Sequence, residues 1–138
     1  MGRIMSIDYG RKRVGIAVTD PLKIIATALD TVHPLKVMEY IETYMQKESV
    51  ELFVVGWPKN LDNTDAELMT DIKPFVLKLE EKFNMPVVWV DERFTSKLAM
   101  RAMIDSGVKK SERRIKGNTD RISAVIILQS YLESQLIK

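Results

Sequence analysis

Three acidic residues stand where acids are normally avoided. Asp8 lies within the strand-like run "RIMSID", Glu92 closes the apolar run "VVWVDE" directly after Asp91, and Asp120 begins an apolar C-terminal helix. Carboxylates that converge in an apolar setting repel one another and are partly desolvated, and a hard divalent cation relieves both costs. Oxygen ligands of this kind suit Mg2+ or Mn2+, and acids on separate elements can hold one or two ions against a phosphodiester. Other site chemistries have little material. The chain contains no Cys and a single His, His33, which excludes a disulfide framework, thiolate catalysis and a zinc-thiolate centre.

Each acid also has a plainer reading when taken singly. Asp120 suits an N-cap or a first-turn position that favours the helix dipole. Asp8 suits a turn former before Gly10, and Glu92 could pair at the surface with Arg93 or Arg101. The stretches "DYG" and "VDER", combined with the acid on the last helix, favour a metal site. Strand alternation turns Asp91 opposite to Glu92, which gives it a structural or supporting role.

Positive charge is local. The formal net charge is +2, yet the segment from Lys109 to Arg121 carries six cations against two acids, which leaves the remainder net negative. Arg11, Lys12 and Arg13 crowd the turn that follows Asp8. This turn, with Lys109, Lys110, Arg113, Arg114 and Lys116, could hold a phosphate backbone without reading bases. The later segment reads equally well as a solvated loop. Trp57, Trp89 and the methionines read as core filler, and His33 as structural.

The elements that must position these residues follow from periodicity. "RIMSID", "RVGIAVTD" and "KIIATALDTV" read as three short-looped strands, hence an antiparallel meander. Val37, Tyr40, Ile41 and Tyr44 recur at helical steps, with Pro34 suited to the first turn. "VELFVVGWP" reads as a buried strand, and Thr64 with Glu67 resembles a capping box for a helix through about Phe83. Pro74 inside it implies a kink or a late start. After the strand "VVWVDE", a helix is expected from Thr95 or Ser96 to Gly107, then a last one from about Thr119 to Leu136. On that helix Ala124, Ile127 and Tyr131 share the side of Asp120. The expected architecture is one mixed five-stranded sheet, a three-strand meander plus two parallel strands, flanked by helices.

With 138 residues, a single domain spanning 1–138 is the natural expectation. No apolar run approaches the ~20 residues of a membrane span. "MGRIMS" matches the myristoylation pattern only by chance, and no signal peptide is read. A cytoplasmic home with no membrane partner is expected.

"SIDYGRKRVGIAVTDP", "VVGWPKNLDNTDAE", "VVWVDERFTS" and "DRISAVIILQSYL" resemble, in order and over nearly the whole chain, the signature blocks of the YqgF family. The resemblance implies a ribonuclease H-like fold and an acidic Mg2+ or Mn2+ site at Asp8, Glu92 and Asp120, with Arg11, Lys12, Arg13 and Arg93 close by. It further implies an endonuclease acting on RNA, with pre-16S rRNA in ribosome biogenesis the expected substrate. A Holliday junction resolvase cutting branched DNA, or a non-catalytic nucleic-acid-binding protein, is the alternative, and either a monomer or a homodimer fits. Asn63 stands where the family often has glycine, and Ser123 where it has alanine.

Overall fold

A computed structural model describes residues 2–57, 67–91 and 116–136, apart from the side chains of 116–121 and 136. Its centre is a five-stranded sheet built from β1 (Arg3–Tyr9), β2 (Val14–Thr19), β3 (Ala26–Val32), β4 (Val50–Trp57) and β5 (Val87–Asp91). The strand order is β3-β2-β1-β4-β5. The first three pair antiparallel, while β4 runs parallel to both β1 and β5. The meander plus two parallel strands expected from the sequence is therefore present. Among the described residues the helices are α1 (Val37–Met45), α2 (Met69–Phe83) and α3 (Lys116–Leu136).

Alternation along the strands divides the interior between two faces. Met5, Ile7, Val14, Ile16, Phe53 and Val55 face one side and pack with Val37 and Ile41 of α1 and Met69, Ile72, Val76 and Leu79 of α2. Ile4, Ala17 and Val54 face the other and pack under Ala124, Ile127 and Leu128 of α3. Burying an Ile or Leu side chain stabilises by about 1.5–3 kcal/mol, so the apolar stripe of α3 fixes that helix firmly.

Several boundaries differ from the expected ones, each for a local reason. The third strand begins at Ala26 and not Lys23, because the Asp20 carboxylate accepts the N–H groups of Leu22, Ile24 and Ile25. Those donors are taken from the sheet ladder. α1 opens at Val37 because Lys36 N–H closes a turn onto His33 O at 2.8 Å, and the His33 ring accepts Leu35 N–H. Glu67 lies in the turn before α2, so a Thr64–Glu67 box does not open that helix; Thr64 itself lies outside the described residues. α2 starts late, which puts Pro74 at its sixth position, and ends on Asn84 in the left-handed conformation, where Asn is tolerated. The helix expected over 95–107 also lies outside the described residues. No described helix is long and apolar enough to cross a membrane.

Candidate active site

Asp8 is half-buried near the end of β1. It pairs across the antiparallel ladder with Gly15, and the parallel register Ile7↔Val55 sets Gly56 level with it on the other side. Ile4, Ser6 and Asp8 share the α3 face of the sheet by alternation. The carboxylate thus stands in a row whose immediate neighbours, about 4.8 Å away on either strand, carry no side chain. Both glycines are buried. Asp8 is not the turn former of the plainer reading, because β1 continues to Tyr9 and the turn begins at Gly10. A Cβ at Gly10 would sit 2.6 Å from Arg13 O, so only glycine lets the turn close this tightly.

The face above Asp8 is organised by α3. Ser6 Oγ donates to Ala124 O at 2.6 Å, with both residues fully buried. Ala17, paired with Ser6, is also fully buried, and three small residues at one crossing let helix and sheet approach closely. Farther along, Tyr131, Leu132 and Gln135 line a cavity of about 430 Å³ with Ile4, Glu51 and Leu52. The helix therefore runs antiparallel to β1. From Ser6 to Asp8 the strand advances about 6.7 Å, and from Ala124 back one turn the helix advances about 6 Å in the same direction. Position 120 is on that turn, in the stripe of Ala124, Ile127 and Tyr131. Because α3 begins at Lys116, Asp120 is its fifth residue and neither an N-cap nor a first-turn acid. The Asp120 side chain lies outside the described residues.

β5 ends at Asp91, in register with Trp57, so β1, β4 and β5 finish at one end of the sheet. Glu92 and Arg93 lie outside the described residues, as do Lys109, Lys110, Arg113 and Arg114. Lys116 is described by its backbone only. Val87 and Trp89 pack toward α1 and α2, and Val88 and Val90 toward α3. Alternation thus puts exposed Asp91 on the face opposite to Asp8. Trp57 and Trp89 meet edge to face, 5.6 Å between centroids, in the packing role read from the sequence. Among the described residues no three His, Cys, Asp or Glu side chains form a group that could hold a metal.

Gly10, Arg11, Lys12 and Arg13 line a shallow concavity of about 310 Å³. Arg11 and Lys12 are exposed and Arg13 is half-buried. Arg11 Nε donates to Asp71 Oδ2 at 2.6 Å, and this hydrogen bond, with the charge of Asp71, raises the guanidinium pKa above its ordinary value. Tyr9 and Phe75 rings meet 4.9 Å apart beside the pair. Burial, then the Asp71 charge, raises the Tyr9 phenol above its usual range. Asp71 belongs to the first turn of α2, so Arg11 reaches toward the α2 face and away from the face of Asp8. The sequence reading missed Asp71, which looks like any first-turn acid until the fold supplies its partner. It also missed Ser6, although a lone hydroxyl in "IMSI" was a signal.

Residues 2–134 match the family model described as "RuvX: Holliday junction resolvase". A protein of Phocaeicola vulgatus is 53% identical over 136 residues, 98% of this chain and 98% of the relative. One of Porphyromonas gingivalis is 50% identical over 135 residues, 97% and 98% respectively. Both bear the name "Putative pre-16S rRNA nuclease". Among solved structures, T. thermophilus RuvC in complex with a Holliday junction substrate aligns with a TM-score of 0.58 at 16% identity, covering 99% of this chain and 96% of that one. That likeness identifies the fold as ribonuclease H-like.

Proposed function

Because the chain belongs to the RuvX family, also called YqgF, we propose that it is a metal-dependent endonuclease that hydrolyses phosphodiester bonds in pre-16S rRNA during ribosome biogenesis. The whole chain, 1–138, forms one cytoplasmic nuclease domain. The observation that carries this reading is the setting of Asp8, a strand-borne carboxylate flanked by Gly15 and Gly56 beneath the helix that bears Asp120. The RNA assignment draws on the names of relatives at about half identity over nearly their full length.

Asp8, Glu92 and Asp120 would hold Mg2+ or Mn2+, as one or two ions. The donor set fits: three carboxylates in a chain without Cys offer the hard oxygen ligands these ions prefer, and Asp8 is only half-buried. When bound, such ions activate water and stabilise the leaving oxygen of a phosphodiester. The residues of the chain itself hold and orient the strand. Lys12 and Arg13 lie beside the end of β1 to meet phosphates, with Arg11, Arg93, Lys109, Lys110, Arg113, Arg114 and Lys116 extending the contact along the backbone. Such contacts position the substrate without selecting sequence.

The description of the family model favours one second reading, resolution of branched DNA. Resolution needs paired cuts, which a two-fold dimer would supply. The deciding experiment incubates wild type, Asp8→Asn and Asp120→Asn with precursor RNA and with a four-way DNA junction, in Mg2+, in Mn2+ and in chelator. Expected is RNA cleavage by wild type with either ion, lost by at least about 100-fold in both variants while RNA binding persists. Cleavage of the junction alone would replace RNA by branched DNA as substrate. Undiminished cleavage by Asp8→Asn would overturn the catalytic assignment.

A further inference from the structure

We propose that Asp71 is a positioning residue for substrate binding: it grips Arg11 by Nε and presents the terminal N–H groups of that guanidinium to a phosphate flanking the scissile one. The proposal rests on the reading of the Arg11–Arg13 turn as a phosphate contact and adds a residue of opposite charge to it. Arginine has one Nε donor and four terminal ones. Asp71 Oδ2 takes the Nε hydrogen at 2.6 Å, and the terminal fork is the part that matches phosphate oxygens in a bidentate manner.

Two further features hold the arrangement in place. The Tyr9–Phe75 ring contact joins the end of β1 to α2 within one helical turn of Asp71, and the tight Gly10 turn fixes where Arg11 departs from the backbone. Arg11 and Asp71 side chains are 54% and 41% exposed, so the pair stays open to a strand lying on the surface. Its location decides which phosphate it meets. Asp8 faces α3 and Arg11 is drawn to α2, so a strand whose scissile phosphate sits at Asp8 meets Arg11 only after crossing the end of the sheet. Arg11 therefore holds a flanking phosphate, and its contribution falls on binding and not on the chemical step.

Simple electrostatics gives the opposite expectation, which makes the proposal sharp. Removing Asp71 adds one unit of positive charge, and general attraction to a polyanion should then rise. Loss of positioning should make binding weaker. The test measures binding of a labelled structured RNA to full-length wild type, Asp71→Ala, Asp71→Glu, Arg11→Ala and the double variant across a salt series, with thermal unfolding as the check on folding. Expected is roughly tenfold weaker binding for Asp71→Ala and a salt slope reduced by about one phosphate contact. Asp71→Glu should recover part of the loss, and Asp71→Ala should add nothing in the Arg11→Ala background. Tighter binding by Asp71→Ala, or no change while Arg11→Ala is impaired, would overturn the positioning role alone. No loss in Arg11→Ala would overturn it together with the phosphate reading of the turn.

Discussion

At the scale of single residues, the environment of Asp8 is defined by what its neighbours lack. Gly15 and Gly56 are poor strand residues by propensity, and valine at either position would suit the local backbone better. Gly15→Val should lower cleavage at least about tenfold beyond any loss of stability, because a β-branched side chain would crowd the carboxylate. Steady-state cleavage set against thermal unfolding separates the two effects, and unaltered cleavage would show that the bare backbone beside Asp8 is not needed. Asp20 illustrates a different residue-level device. Hydrogen bonds from the backbone N–H groups of Ile25 and Ile24 hold its carboxyl below the ordinary value of 3.8. A depressed folded pKa contributes stability that is present above the unfolded value and fades as pH falls through the folded one. Asp20→Ala should therefore lower Tm by a few degrees at pH 7, and the gap to wild type should close below about pH 4. A gap that persists undiminished into acid would remove the carboxylate from the explanation. The acids Asp8 and Asp20 were visible in the sequence as types, but their partners were not. Gly15 faces Asp8 only through a hairpin register, and Asp71 meets Arg11 only once a helix is laid on the sheet.

At the scale of elements, the crossing of α3 over β1 sets the geometry of the candidate site. Ser6, Ala17 and Ala124 are small and buried, and Ser6 Oγ ties the helix carbonyl to the strand. Ala124→Leu forces extra volume into this contact and should cost about 1–3 kcal/mol in denaturant unfolding. It should also reduce cleavage beyond its effect on stability, because the next turn of the helix carries Asp120. A variant as stable as wild type would mean that the crossing is looser than the buried contacts imply. Element types were legible in the sequence because period-2 and period-3.6 patterns are local properties. The inward stripe of Ala124, Ile127 and Tyr131 followed from helical geometry alone. Helix starts were not legible to the residue. α3 begins three residues before the expected Thr119, which removes the N-cap explanation for Asp120.

At the scale of the whole molecule, the sheet keeps its two faces chemically distinct. Among the described residues the α1 and α2 face carries the larger core, with Phe53, Met5 and Leu79 fully buried. The α3 face carries the small-residue crossing and Asp8. The mixed topology was readable from the order of strands and helices, since adjacent short-looped strands pair antiparallel and strands separated by a helix pair in parallel. What the order could not supply was the division of charge between faces, with Asp8 on one and the Arg11–Asp71 pair on the other. The covering of the second face by α3 also has a consequence in time. Chains fold as they are synthesised from the N-terminus, and the five described strands with α1 and α2 precede Lys116 in the sequence. Until the last helix emerges, Ile4, Ala17 and Val54 lack their described helical partners Ala124, Ile127 and Leu128, and Asp8 stands without the element that carries Asp120. The candidate centre is thus assembled last, so a growing chain would hold the strand-borne acid and the basic turn well before it could cut.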